Sequence, residues 1–168
     1  MRRIIIPDAG PLFSLAAAGV LPALLHFEVV ITDVVKSETI DKGGHSEASP
    51  EALAIHAFFR EHRASIEVRE TQFGALLAAA KRSNPKAKIR NAGELSIQSL
   101  LLELADEKGR WEAAVIFEDT WFIRNAVSFP PNCRLIGTTA FLRILEELQL
   151  IESAQEALER IRRKRQIR

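Results

Sequence analysis

The chain is poor in the residues that build disulfide or zinc frameworks: its single cysteine, Cys133, has no partner in the chain. One thiol excludes an intramolecular disulfide and any multi-cysteine zinc cluster. The four histidines, His26, His45, His56 and His62, show no ligand-like spacing with it. An intracellular, cytoplasmic protein is the expectation. A continuous hydrophobic run is also missing. Arg2 and Arg3 before three isoleucines mimic the start of a secretion signal, but Asp8, Pro11, Gly19 and Pro22 interrupt the apolar stretch that would have to follow. Internal repeats and low-complexity segments are lacking too.

What is there is a chain of 168 residues, 47% hydrophobic, enough for one domain with a proper core and short for two. The formal net charge is only +1, yet it is unevenly spread. The tail RIRRKRQIR, Arg160 to Arg168, is basic without a single acid, and the body is acidic. Such asymmetry is compatible with a polyanionic partner, and equally with a solvated helix end whose cations suit the helix dipole.

IIIP, EVVIT, SIEVRE, AAVIF and CRLIG read as strands, and helical stretches lie between them. PLFSLAAAGVLPALLHF reads as two short helices meeting near AGVLP. Ser49 followed by Pro50 starts a helix running to about Ala64, and ELSIQSLLLELADEKG forms a long one ending at Gly109. Ser153 and Glu156 match a capping box that opens a basic terminal helix at about 153–168. Alternating strands and helices predict one α/β domain over 1–168, in three layers (α/β/α) with a central, mainly parallel sheet.

Acids recur at the ends of these elements. Asp8 follows IIIP, Glu118 and Asp119 follow AAVIF, Glu38 lies six residues beyond EVVIT, and Glu94 heads the long apolar helix. Each has a bland explanation. Asp8 and Asp119 suit helix N-caps, Glu38 could pair with Lys42, and Glu94 could close a capping box with Asn91. Together they point to the carboxyl edge of a parallel sheet, where ligands bind. Two carboxylates about 4 Å apart repel by roughly 4 kcal/mol at an effective dielectric near 20. A divalent cation relieves that cost, and oxygen donors without His or Cys suit Mg²⁺ or Mn²⁺. Such ions activate water and steady the leaving oxygen in phosphodiester cleavage.

In order and spacing, IIIPDAGPLFSLAAAGVLPALLHF, VVITDVVKSETI, NAGELSIQSLLLELA, AAVIFEDTWFIR and LIGTTAFLRILEELQLI resemble PIN-domain proteins, close to the VapC-type toxins of toxin–antitoxin pairs. The resemblance implies an Mg²⁺- or Mn²⁺-dependent endoribonuclease, often a homodimer and often inhibited by a cognate antitoxin. It makes Asp8, Glu94 and Asp119 the metal ligands and Glu38 the acid after the second strand, a ligand or a base for the attacking water. Asp119 is preferred to Glu118, and Thr138 or Thr139 falls near the site. Two departures stand out: Gly10 replaces a small hydroxyl common in the family, and the loop from Asp41 to Ser49 is longer than usual. Lys81, Arg82, Lys86, Lys88, Arg90 and the tail are candidates to steer an RNA backbone.

Two readings compete with this one. A catalytically silent PIN-fold module would use its surface to bind nucleic acid or protein. An aspartate-based phosphotransfer domain is disfavoured, because Gly10 stands where a phosphatase wants an acid and CRLIGTT offers no receiver-type lysine. The apolar stretch from Leu12 to Phe27 carries enough hydrophobic area to suggest a homodimer.

Overall fold

The computed structural model describes residues 2–106 and 111–166. Strand β1 (Arg2–Pro7) is the centre of a five-stranded sheet in which every pairing is parallel. Ile4, Ile5 and Ile6 are all buried, so both faces of β1 are covered, as three adjacent β-branched residues require in a doubly covered sheet. β2 (Glu28–Thr32) and then β3 (Ile66–Arg69) lie on one side of it, and β4 (Trp111–Phe117) and β5 (Cys133–Gly137) on the other. The order is therefore β3-β2-β1-β4-β5. After β1 the chain moves to β2, and after β4 it moves the opposite way to β5. Their connections part between neighbouring strands, which leaves a crevice at the carboxyl ends of β1 and β4.

Helices cover both faces. α1 (Ala9–Ala18) packs with α3 (Pro50–Glu61) and α8 (Ala154–Gln166), and α8 also meets α7 (Thr138–Glu147). On the other face α5 (Ala92–Asp106) packs with α2 (Asp33–Glu38) and α4 (Gln72–Ser83). A single turn, α6 (Trp121–Arg124), follows β4. The architecture is thus α/β in three layers, as its alternating pattern predicts. One core cluster joins β1, β2 and β4 to α1, α5, α7 and α8, and a smaller one joins Val34, Leu77 and Ala92.

Local chemistry sets the boundaries. Ser49 accepts from the Ala52 N–H at 3.2 Å with Pro50 in the first turn of α3, and Ser153 accepts from the Glu156 N–H at 3.2 Å. α3 stops at Glu61, three residues short of the expected end. The second apolar helix before Phe27 is a 3-10 turn over Leu21–His26. The expected end of α5 at Gly109 lies outside the described residues.

Two expectations gain a different physical setting. The stretch from Leu12 to Phe27 buries Leu12, Leu15, Leu21, Ala23 and Leu24 inside the protomer, and only Leu25 among its leucines is exposed. Its apolar area is used by the core, so it gives no reason of its own for a dimer. The loop from Asp41 is fastened to α3: a Cβ on Gly43 would stand 2.2 Å from the Ala52 carbonyl oxygen, and His56 Nδ1 lies 2.8 Å from the Ile40 carbonyl oxygen. No helix among the described residues is long and apolar enough to cross a membrane.

Candidate active site

Pro7, the last residue of β1, delivers Asp8 to the crevice between β1 and β4, where the Asp8 N–H donates to the Ile116 carbonyl at 3.0 Å. Asp8 occupies the N-cap position of α1 but its side chain makes no capping hydrogen bond. Glu38 ends α2, Glu94 lies in the first turn of α5, and Glu118 and Asp119 follow β4. All five acids line one open cavity of about 390 Å³, together with Ala9 and Gly10. Elements far apart in sequence thus deliver their carboxylates to one place. The structure brings together every acid expected from the sequence.

Asp8 is the most constrained of them, with 6% of its surface exposed. Burial pushes its carboxyl up to about 7, Glu94, Glu38 and Asp119 push the same way, and the Ala9 N–H pulls back. Glu38 is raised as well, first by burial and then by Glu94, while Lys42 and Lys81 oppose the shift through space. The Glu38–Lys42 link expected from helical spacing therefore acts as a field, and Lys36 instead forms an ion pair, with Asp41, at 2.7 Å. Gly93 sits between the two raised carboxylates. A Cβ there would stand 2.9 Å from Glu38 Oε2 and 3.2 Å from Asp8 Oδ1. A bare backbone at the head of α5 is what lets these oxygens approach one another.

The capping explanations divide. Asp119, one residue before the N-cap Thr120 of α6, does serve the helix start, its Oδ1 accepting from the Trp121 N–H at 2.8 Å. Asn91 has a φ of 56°, in the left-handed region, where the N-cap residue of a capping box has extended backbone. Glu94 is thus free of that conventional role.

Glu118 has partners that the sequence did not reveal. Ser14 Oγ donates to its Oε1 at 2.5 Å, and Arg165 Nη2, from the last turn of α8, donates to its Oε2 at 2.6 Å. Gly10 lies beside this carboxylate, and a Cβ there would meet Glu118 Oε2 at 3.4 Å, an ordinary van der Waals contact. Spacing on α1 could have flagged Ser14, but nothing local in the sequence pairs it with an arginine 151 positions away. Thr138 and Thr139 line a neighbouring cavity with Glu118 and Arg165, outside the acidic one, and buried Thr138 donates to the Phe117 carbonyl at 3.5 Å.

The donor set consists of carboxylates alone, which suits Mg²⁺ or Mn²⁺. Asp8, Glu94 and Asp119 could hold such an ion, with Glu38 beside them. Among the described residues no three acids, histidines or cysteines already converge closely enough to enclose one. Comparison with protein-family models, with curated proteins and with solved structures returns no match, so any functional reading rests on this cavity and its carboxylates.

Proposed function

We propose that the protein is a divalent-metal-dependent endoribonuclease of the PIN type that cleaves RNA phosphodiester bonds. The observation that carries the reading is Asp8: a nearly buried carboxylate, uncapped, at the switch point of a parallel sheet and facing a cavity lined by four further acids. Burying a carboxylate with no cation paired to it is costly, and a fold that keeps one against three others gains most from a bound cation.

In this reading Asp8, Glu94 and Asp119 would hold Mg²⁺ or Mn²⁺, and Glu38, whose pKa burial and Glu94 raise, would orient or deprotonate the attacking water. The ion would offset phosphate charge and supply a more acidic water. Lys42 and Lys81, whose fields already reach Glu38, stand where a phosphate backbone could be drawn in. RNA is the proposed partner and the cytoplasm the proposed setting. A cognate antitoxin and a homodimer belong to the same proposal.

The competing reading is a silent PIN-fold binding module. It is favoured by Asp119 being engaged with the Trp121 N–H, by Glu118 being tied to Arg165, and by the lack of a preassembled three-ligand cluster among the described residues. Cleavage of a broad panel of single-stranded and structured RNAs separates the two. The wild-type protein should cut at least one RNA in Mg²⁺ or Mn²⁺, stop in EDTA, and lose about a hundredfold or more in Asp8→Asn. Cleavage that survives both EDTA and Asp8→Asn would reject the catalytic assignment. Metal-independent RNA binding without cleavage across the panel would favour the module.

A further inference from the structure

Glu118 differs from the other acids of the cavity in being bonded to a cation. Both of its oxygens are occupied: Ser14 of α1 donates to Oε1 and Arg165 of α8 to Oε2, while Arg165 Nη2 also donates to Ser14 Oγ at 3.0 Å. Among the described residues no ion pair joins an arginine or lysine to Asp8, Glu38, Glu94 or Asp119. Glu118 also lines three cavities: the acidic one, one between α1, α3 and α8, and one beside β5 and α7. Its carboxylate therefore stands at a junction where rotation of the side chain could carry it toward the metal-binding acids or away from them.

The arm that supplies Arg165 is firmly placed. Ala154, Ala157 and Ile161 of α8 are buried, and Arg160 Nη1 donates to the Ala18 carbonyl at the end of α1 at 2.8 Å. That contact sets a cation on the negative end of a neighbouring helix. α8 thus reaches the rim of the cavity as a docked helix.

We propose that Arg165 is a positioning residue of the acidic centre: by pairing with Glu118 it restrains and neutralises a fifth carboxylate at the rim of the divalent-cation site and thereby sets how tightly that site holds its ion. This rests on the metal-dependent reading above. The terminal basic helix then has a role inside the molecule. It tunes the charge that the cation meets, independently of any attraction of the tail for a polyanion.

The test is Mn²⁺ titration of the full-length protein by calorimetry. Arg165→Ala should tighten Mn²⁺ binding roughly three- to tenfold, because it both frees Glu118 and removes a nearby positive charge. Arg165→Lys, which keeps the charge and can still reach a carboxylate, should stay near wild type. Arg163→Ala removes the same charge from a side chain that is 76% exposed and lies 3.7 Å from Glu159, and it should shift affinity by less than about twofold. In a Glu118→Gln background the effect of Arg165→Ala should also shrink to below about twofold. Unchanged or weaker binding in Arg165→Ala, or the full effect persisting with Glu118→Gln, would overturn the proposal. Wild-type and Asp8→Asn proteins that bind Mn²⁺ alike, or not at all, would remove the metal reading itself and this proposal with it. Asp8-dependent binding that is indifferent to Arg165 would remove this proposal alone.

Discussion

At the scale of the residue, Asp8 carries the largest consequence. Its carboxyl is pushed up to about 7 from an ordinary value of 3.8, so between these pH values the folded protein holds a proton that the unfolded chain releases. Stability contributed by this group is therefore fully present below about pH 4 and is lost as pH rises through about 7. The loss is on the order of a few kcal/mol for a shift of this size. Asp8→Asn keeps the shape without the charge. Denaturant unfolding at pH 5 and pH 8 should show the wild type losing a few kcal/mol more than Asp8→Asn across that interval. Parallel pH profiles would mean that the carboxylate is already compensated. Gly93 gives a second, independent check. Gly93→Ala adds a methyl 2.9 Å from Glu38 Oε2, the mobile end of a side chain, and 3.2 Å from the buried Asp8 Oδ1, so the propensity gain of a helical alanine is offset by the shift asked of Asp8 and stability should change by less than about 1 kcal/mol. The same methyl should weaken Mn²⁺ binding at least about fivefold, since it fills the space in which the Asp8 and Glu38 oxygens approach.

At the scale of the element, much was legible because the signals are local. EVVIT and CRLIG fall on β2 and β5 residue for residue, since each short apolar run lies between residues that suit turns or helix starts. The caps at Ser49 and Ser153 were legible for the same reason, and Ser49→Ala should lower stability by about 1 kcal/mol in urea unfolding. The anchored loop before α3 was not legible. Gly43 lies against the Ala52 backbone only because α3 folds back over it, a contact that no pattern within positions 41–49 encodes. Gly43→Ala should destabilise by more than about 2 kcal/mol, because backbone stands where the methyl must go. A loss under about 0.5 kcal/mol would show that this loop moves easily off α3. α8 tells a similar story: its basic composition was plain, but its docking on α1 and the reach of Arg165 to Glu118 are long-range facts.

At the scale of the whole molecule, the parallel sheet explains why acids from four parts of the chain meet. Connections leaving β1 and β4 diverge, and the carboxyl edge between them receives Asp8 from one strand and Glu118 and Asp119 from the other. α2 and α5, packed together on one face, bring Glu38 and Glu94 to the same opening. The recurrence of acids at element ends made this convergence readable from sequence. The side-chain partners of Asp119 and Glu118 were not, because a carboxylate that caps, one that pairs and one that binds metal look alike in a string of letters. The charge asymmetry resolves in the same way, with part of the basic tail spent on Glu118 and on the end of α1.

The account turns on whether the acidic cavity is a cation site built around Asp8. Calorimetric titration of the wild-type protein with Mn²⁺ at pH 8 measures this most directly. Saturable binding that falls at least about tenfold in both Asp8→Asn and Glu94→Gln is the predicted result. No saturable binding, or binding indifferent to both substitutions, would contradict it.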